Sequence, residues 1–235
     1  PCIQPGQCVP TFILDPDSRV MDDVFVMRLP ADEYGRHRFI LRTQPENHER
    51  VKAWLRGLGD GYILFDRQDL FAKVEGPLVV EDLRYEAEPH YLALALHGPQ
   101  SQAIVEAALP ASLALTADDE LPAVSAFLIG PGHAELVVRD SIAAPQKQLI
   151  AAGATPIGPA ALATLRVASG LPDYAQERPS GQELLLRTSP VRFELRKPYF
   201  VGQQVLAQDR PQETLPEFAW REPENAPLKR TVLYE

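Results

Sequence analysis

Residues 91–109 read Tyr91-Leu-Ala-Leu-Ala-Leu-His97, then Gly98-Pro99, then Gln100-Ser-Gln-Ala-Ile-Val-Glu-Ala-Ala-Leu109. The first six are apolar, and with His97 they end at a glycine-proline turn, so they predict a strand. The segment after the proline is free of breakers and predicts a helix. Outward from this unit, Val124–Ile129 and Ala134–Arg139 predict a hairpin around Gly130-Pro-Gly132. Toward the N-terminus, Phe12–Leu14, Val24–Leu29 and Arg36–Arg42 predict strands, the first two joined by the turn residues Asp15-Pro-Asp-Ser18. Val51, Trp54, Leu55 and Leu58 recur at helical spacing behind Pro45, so a helix follows and ends near Gly59. Gly61–Phe65 and Leu78–Asp82 predict further strands, and Pro145–Ala152 and Pro159–Ala168 further helices. Strands mixed with helices, without a regular alternation of the two, predict an α+β protein.

The composition sets limits on function. The 235 residues are 45% hydrophobic and 23% charged, enough for one large domain or two small ones. A formal charge of −9 argues against a general basic field for nucleic acid. No apolar run approaches the roughly 18–20 residues that span a bilayer. There is no secretory pattern, so a soluble, cytoplasmic protein is expected. Cys2 and Cys8 fit no short metal or redox spacing and are expected as reduced thiols. The 23 prolines, against an average near 5%, gather at element borders and in the tail from Pro211 to Pro227, which reads as a linker. The five histidines show no i, i+4 pair, so no metal site is expected. No Gly-x-Ser-x-Gly elbow or cysteine–histidine arrangement supports a nucleophile.

Three positions stand out chemically. Asp22 and Asp23 are adjacent at the head of a strand, so they point to opposite faces and at most one can aim into a pocket. That one either meets a cationic or N–H-bearing ligand or is a solvated strand end. Glu135 enters an apolar strand after a glycine turn. It either accepts two N–H donors side by side, as an aminopyrimidine edge offers them, or is an exposed edge-strand residue. Arg166 lies away from much of the apolar stripe of its helix and either pairs with an acid or is solvated.

In order, five segments resemble the glycine-cleavage T-protein (aminomethyltransferase) and its YgfZ-type folate-binding relatives. Ile13–Leu29, with its Asp-Asp pair, resembles the family's first matched strands, and Asn47-His-Glu-Arg-Val-Lys-Ala-Trp54 the helix that follows. Leu94-Ala-Leu-His-Gly-Pro-Gln-Ser-Gln102 is similar to the family's Leu-Gln-Gly-Pro junction. Ala163-Thr-Leu-Arg-Val-Ala-Ser-Gly-Leu-Pro-Asp-Tyr174 resembles its Leu-Arg-x-Glu helix, and Lys197-Pro-Tyr-Phe-Val-Gly-Gln-Gln204 its Lys-Gly-Cys-Tyr-x-Gly-Gln-Glu motif.

The resemblance implies an α+β folate-binding fold of antiparallel and mixed sheets with short helices, in two subdomains around a central cavity. These would cover 1–110 and 111–207, with 208–235 a linker and the opening strand, Leu228–Tyr234, of an absent barrel. It implies tetrahydrofolate as ligand, with Asp23 beside the reacting nitrogen, Glu135 on the pterin, Arg166 on its helix and Gln44 (or Thr43) where the family has asparagine. The departures are specific. The Gly-Tyr-Thr-Gly-Glu segment is reduced to Gly130-Pro-Gly-His-Ala-Glu135, Ala168 replaces a glutamate, and Tyr199 and Gln204 stand at the cysteine and glutamate positions. The expectation is therefore a folate-binding protein with a one-carbon or regulatory role and little aminomethyl transfer. An active aminomethyltransferase, with Asp23 as its catalytic carboxylate, and a folate-free scaffold are the alternatives. The segment before the first matched strand is also missing, so the expectation is either a piece of a longer chain or a reduced member whose fold a second copy or another protein completes.

Overall fold

The computed structural model describes residues 3–66, 69–74, 76, 78–115, 121–129, 132–168, 200–208 and 232–234. The protein is α+β, with two small, mainly antiparallel sheets and a few short helices.

The first sheet is antiparallel in the order β1 (Cys8–Leu14), β2 (Val20–Arg28), β3 (Phe39–Arg42). Its first turn forms because Asp15 Oδ1 accepts the backbone N–H groups of Asp17 and Arg19, at 2.9 and 2.8 Å. Ser18 in that turn has φ of 63°. Asp23, Phe25 and Met27 share one face of β2, while Asp22, Val24 and Val26 share the other. On β3, Ile40 lies opposite Met27 and Arg42 opposite Phe25, which puts an arginine on the inner face that also carries Asp23.

The second sheet runs β5 (Val124–Leu128), β6 (His133–Arg139), β4 (Tyr91–His97), β8 (Val232–Tyr234), β7 (Thr155–Pro156). All its pairs are antiparallel except β7 with β8. Alternation divides its side chains. Leu94, Leu96, Leu136 and Val138 pack on Ile104 and Val105 of α2 (Ser101–Ala108) and on Leu149 of α3 (Ala143–Ala151). Tyr91, Phe127 and Val137 pack with Cys8, Met27 and Ile40 of the first sheet. The core is thus layered as helices, large sheet and small sheet. Each fully buried Leu, Val or Phe contributes about 1.5–3 kcal/mol.

The helix expected behind Pro45 forms as a short 3-10 turn, Pro45–Asn47, followed by α1 (His48–Gly59). A second 3-10 turn, Pro110–Leu113, with α4 (Pro159–Ala168) and α5 (Gln203–Gln208), completes the described helices. Two expected strands do not form. At Gly61–Phe65 the chain doubles back on α1, with Tyr62 N–H bonded to the Gly57 carbonyl at 2.9 Å. At Leu78–Asp82 the Val80 carbonyl accepts the Arg56 guanidinium rather than a neighbouring strand. Apolar runs whose backbone groups are taken in this way do not extend a ladder, and Tyr62 and Val79 stand 87% and 84% exposed. The segment from Leu228 forms a strand over Val232–Tyr234, and its partners are β4 and β7. The 110/111 boundary follows α2, and the second sheet draws strands from both sides of it. The linker around Pro211–Pro227, the irregular stretch 173–196, Tyr199 and Cys2 lie outside the described residues. No helix of the described residues is long and apolar enough to cross a membrane.

Candidate functional site

β6 is an interior strand, flanked by β5 and β4, so Glu135 is not an edge residue. It is 0% exposed and faces the small sheet, with Phe127 opposite it on β5 and Ala95 opposite it on β4. Two donors converge on a single oxygen. Arg42 Nη1 and His133 Nε2 each donate to Glu135 Oε1 at 2.7 Å. His133 lies two residues earlier on the same strand, hence on the same face. Its ring lies 4.2 Å from that of His97, its cross-strand neighbour, and the Phe25 ring meets it edge-on at 5.1 Å.

Burial pushes the Glu135 carboxyl up. The Arg42 charge, the His133 hydrogen bond and the neighbouring imidazoles outweigh it and hold the group below the usual range. Glu135 is therefore an ionised carboxylate inside the protein. Its other oxygen, Oε2, is buried and has no hydrogen-bond partner in the protein. Cys8, on the facing sheet, is pushed up to about 12 by burial and by the Glu135 charge, with Arg42 opposing. It stays a thiol at neutral pH and is no nucleophile.

The other positions singled out in the sequence fall as follows. Asp23, 7% exposed, shares the inner face of β2 with Phe25 and Met27. Asp22 points the other way and is structural: Oδ2 accepts the Gln44 backbone N–H at 3.0 Å and Oδ1 the Asn47 side-chain amide at 2.9 Å. Burial raises its pKa, with these bonds opposing the shift. Gln44 thus enters the structure through its main chain, held by the aspartate on the face away from Asp23. Arg166 belongs to α4, and its side chain lies outside what is described. Sequence reasoning missed Arg42, His97, His133 and Ser125. His133 had a signal, its spacing of two from Glu135. Arg42 had none, because the register between two sheets is not written in either strand.

A second charged cluster lies beside α1. Asp82 Oδ2 accepts His48 Nε2 at 2.8 Å and Lys52 Nζ at 3.0 Å. Its Oδ1 accepts the backbone N–H groups of Arg84 and Tyr85. His48, Glu49 and Asp82 bring their ligand atoms within 4.8 Å of one another. Lys52 already bridges both carboxylates, also lying 3.0 Å from Glu49 Oε1, so an ammonium stands where a cation would bind. The described residues also include an open cleft of about 430 Å³, among Phe65, Val74, Phe200 and Val201. None of Glu135's partners lines it.

Among models of known protein families, none matches the chain. The site is therefore defined by its chemistry. It is a buried anion on the inner face of a sheet, met on one oxygen by a guanidinium and an imidazole, with its second oxygen unmet.

Proposed function

We propose that the chain is a tetrahydrofolate-binding protein of the T-protein and YgfZ type, with a one-carbon or regulatory role and little or no aminomethyl transfer. One observation carries this reading, the unpartnered Oε2 of the ionised, fully buried Glu135. A buried polar group left unmade costs about 1–3 kcal/mol, and more when charged. A pterin presents N–H donors along one edge and supplies what the oxygen lacks. The amino N–H reaches Oε1 in exchange for one of its present donors, and the ring N–H reaches Oε2. Both present donors, Arg42 and His133, extend to the surface, at 24% and 18% side-chain exposure. Asp23, on the inner face of β2, takes the place beside the reacting nitrogen in this reading. Arg166 and the Gln44 side chain, whose main chain Asp22 holds, are assigned the remaining ligand contacts in this reading. The departures at the cysteine, tyrosine and glutamate positions of the family motifs weaken the folate contacts in this reading.

A folate-free scaffold is the second reading, favoured by a different observation. The inner face around Glu135 is packed by Phe25, Phe127 and Met27, and Glu135 has no exposure at all. Calorimetric titration with tetrahydrofolate and 5-formyltetrahydrofolate separates the two. The expected result is micromolar or tighter binding that falls at least tenfold, about 1.4 kcal/mol, in Glu135→Gln, with Asp23→Asn as a second variant. No heat at millimolar ligand, with the fold intact by circular dichroism, overturns the folate reading and leaves the scaffold.

A further inference from the structure

Among the described residues, two buried side-chain atoms have no hydrogen-bond partner in the protein, Glu135 Oε2 and Ser125 Oγ. They share one face of one ladder. Ser125 is paired with Val137 and Phe127 with Glu135, so the serine and the glutamate are diagonal cross-strand neighbours. Such neighbours lie roughly 7–8 Å apart, within reach of one small planar group. Both residues are 0% exposed. The positions opposite Val137 and Glu135 on β4 are Ala93 and Ala95, the smallest side chains that strand offers on this face. An acceptor and a hydroxyl left unmet as diagonal neighbours, beside alanines, match a group that carries a donor beside an acceptor.

We infer that Ser125 is a second recognition residue of the Glu135 site and selects a lactam edge, a ring N–H beside a carbonyl. The ring N–H donates to Glu135 Oε2, and the carbonyl accepts the Ser125 hydroxyl. This rests on the reading above that the ligand enters at Glu135. It adds to that reading the residue that meets the carbonyl beside the ring N–H. The pterin edge runs amino N–H, ring N–H, carbonyl, so Ser125 supplies the contact that an amino-for-carbonyl analogue reverses.

The test is calorimetry with 5-formyltetrahydrofolate on the wild type, Ser125→Ala, Glu135→Gln and the double variant, with melting curves of each protein without ligand. Ser125→Ala is expected to weaken binding about fivefold, within the worth of one hydrogen bond. Its unliganded melting temperature should be unchanged or higher, because an unpaired buried hydroxyl is removed. The double variant should lose less than the two single losses combined, because both groups hold one edge of one ligand. Affinity within twofold of wild type in Ser125→Ala, while Glu135→Gln weakens binding, overturns the role of Ser125 and leaves the folate reading standing. A lowered melting temperature with unchanged affinity also overturns it, making the serine structural. If the wild type binds no folate, the reading beneath falls and this inference with it.

Discussion

Glu135 and Asp82 are both buried acids held by a histidine and a long basic side chain, yet their surroundings divide sharply. At Asp82 each oxygen has two donors: His48 and Lys52 on one, the Arg84 and Tyr85 amides on the other. Its carboxyl sits at about 2, because these bonds outweigh the burial that pushes it up. Glu135 has both donors on Oε1 and none on Oε2. The saturated acid is a clasp, tying α1 to the chain near residue 82. The half-saturated acid has capacity left over, and on the proposed reading that remainder is what a ligand takes.

Removing the cation from the unsaturated site tests this most severely. Arg42→Met leaves a buried carboxylate with only His133, and about 3 kcal/mol of stability should be lost at pH 7. Without Arg42, burial dominates and raises the folded pKa of Glu135 above its unfolded value. The folded state then takes up protons first, so part of the loss should be recovered between pH 7 and 5 in urea melts. The saturated site should behave oppositely. The folded pKa of Asp82 is depressed, so its contribution is complete above about pH 4 and is lost as pH falls toward 2. Asp82→Asn should cost about 2 kcal/mol at pH 7, and its acid-unfolding curve should converge with wild type near pH 2. A constant gap across that range would break the assignment of Asp82 as an ionised clasp. The smallest effect belongs to the rim: Glu49→Gln, with the side chain 76% exposed, should change stability by less than about 0.5 kcal/mol. A larger loss would mean that the clasp depends on its outer partner.

How much of this was legible in the sequence depends on the range of the interaction. The α+β character, β4 with its following helix, and the β5–β6 hairpin follow from local periodicity and turn residues. So does the division of labour between Asp22 and Asp23, because successive strand residues point apart whatever the partner. Glu135 stood out by its apolar flanks, and those flanks follow from the interior strand. The failures at Gly61–Phe65 and Leu78–Asp82 have a common origin. Both are apolar enough for strands, but a strand exists only where a neighbour offers free backbone groups, and here α1 and Arg56 took them. Arg42 meeting Glu135 is a contact between sheets, set by packing rather than by any local pattern. Ser125 is one hydroxyl in an apolar strand, and only its missing partner gives it meaning.

The placement of β8 bears on how the molecule is made. Val232–Tyr234 lies between β4 and β7, and among the described residues β7 has no other strand partner. The register joins His97 to Val232, two points far apart along the chain. During synthesis β4, β5 and β6 can assemble early as an antiparallel trio, whereas one edge of β4 stays open until Val232–Tyr234 has emerged. Long-range pairing of this kind is slow, because a large loop must close before any contact rewards it. Until then an unpaired apolar strand faces the cell, inviting chaperones or a neighbouring nascent chain.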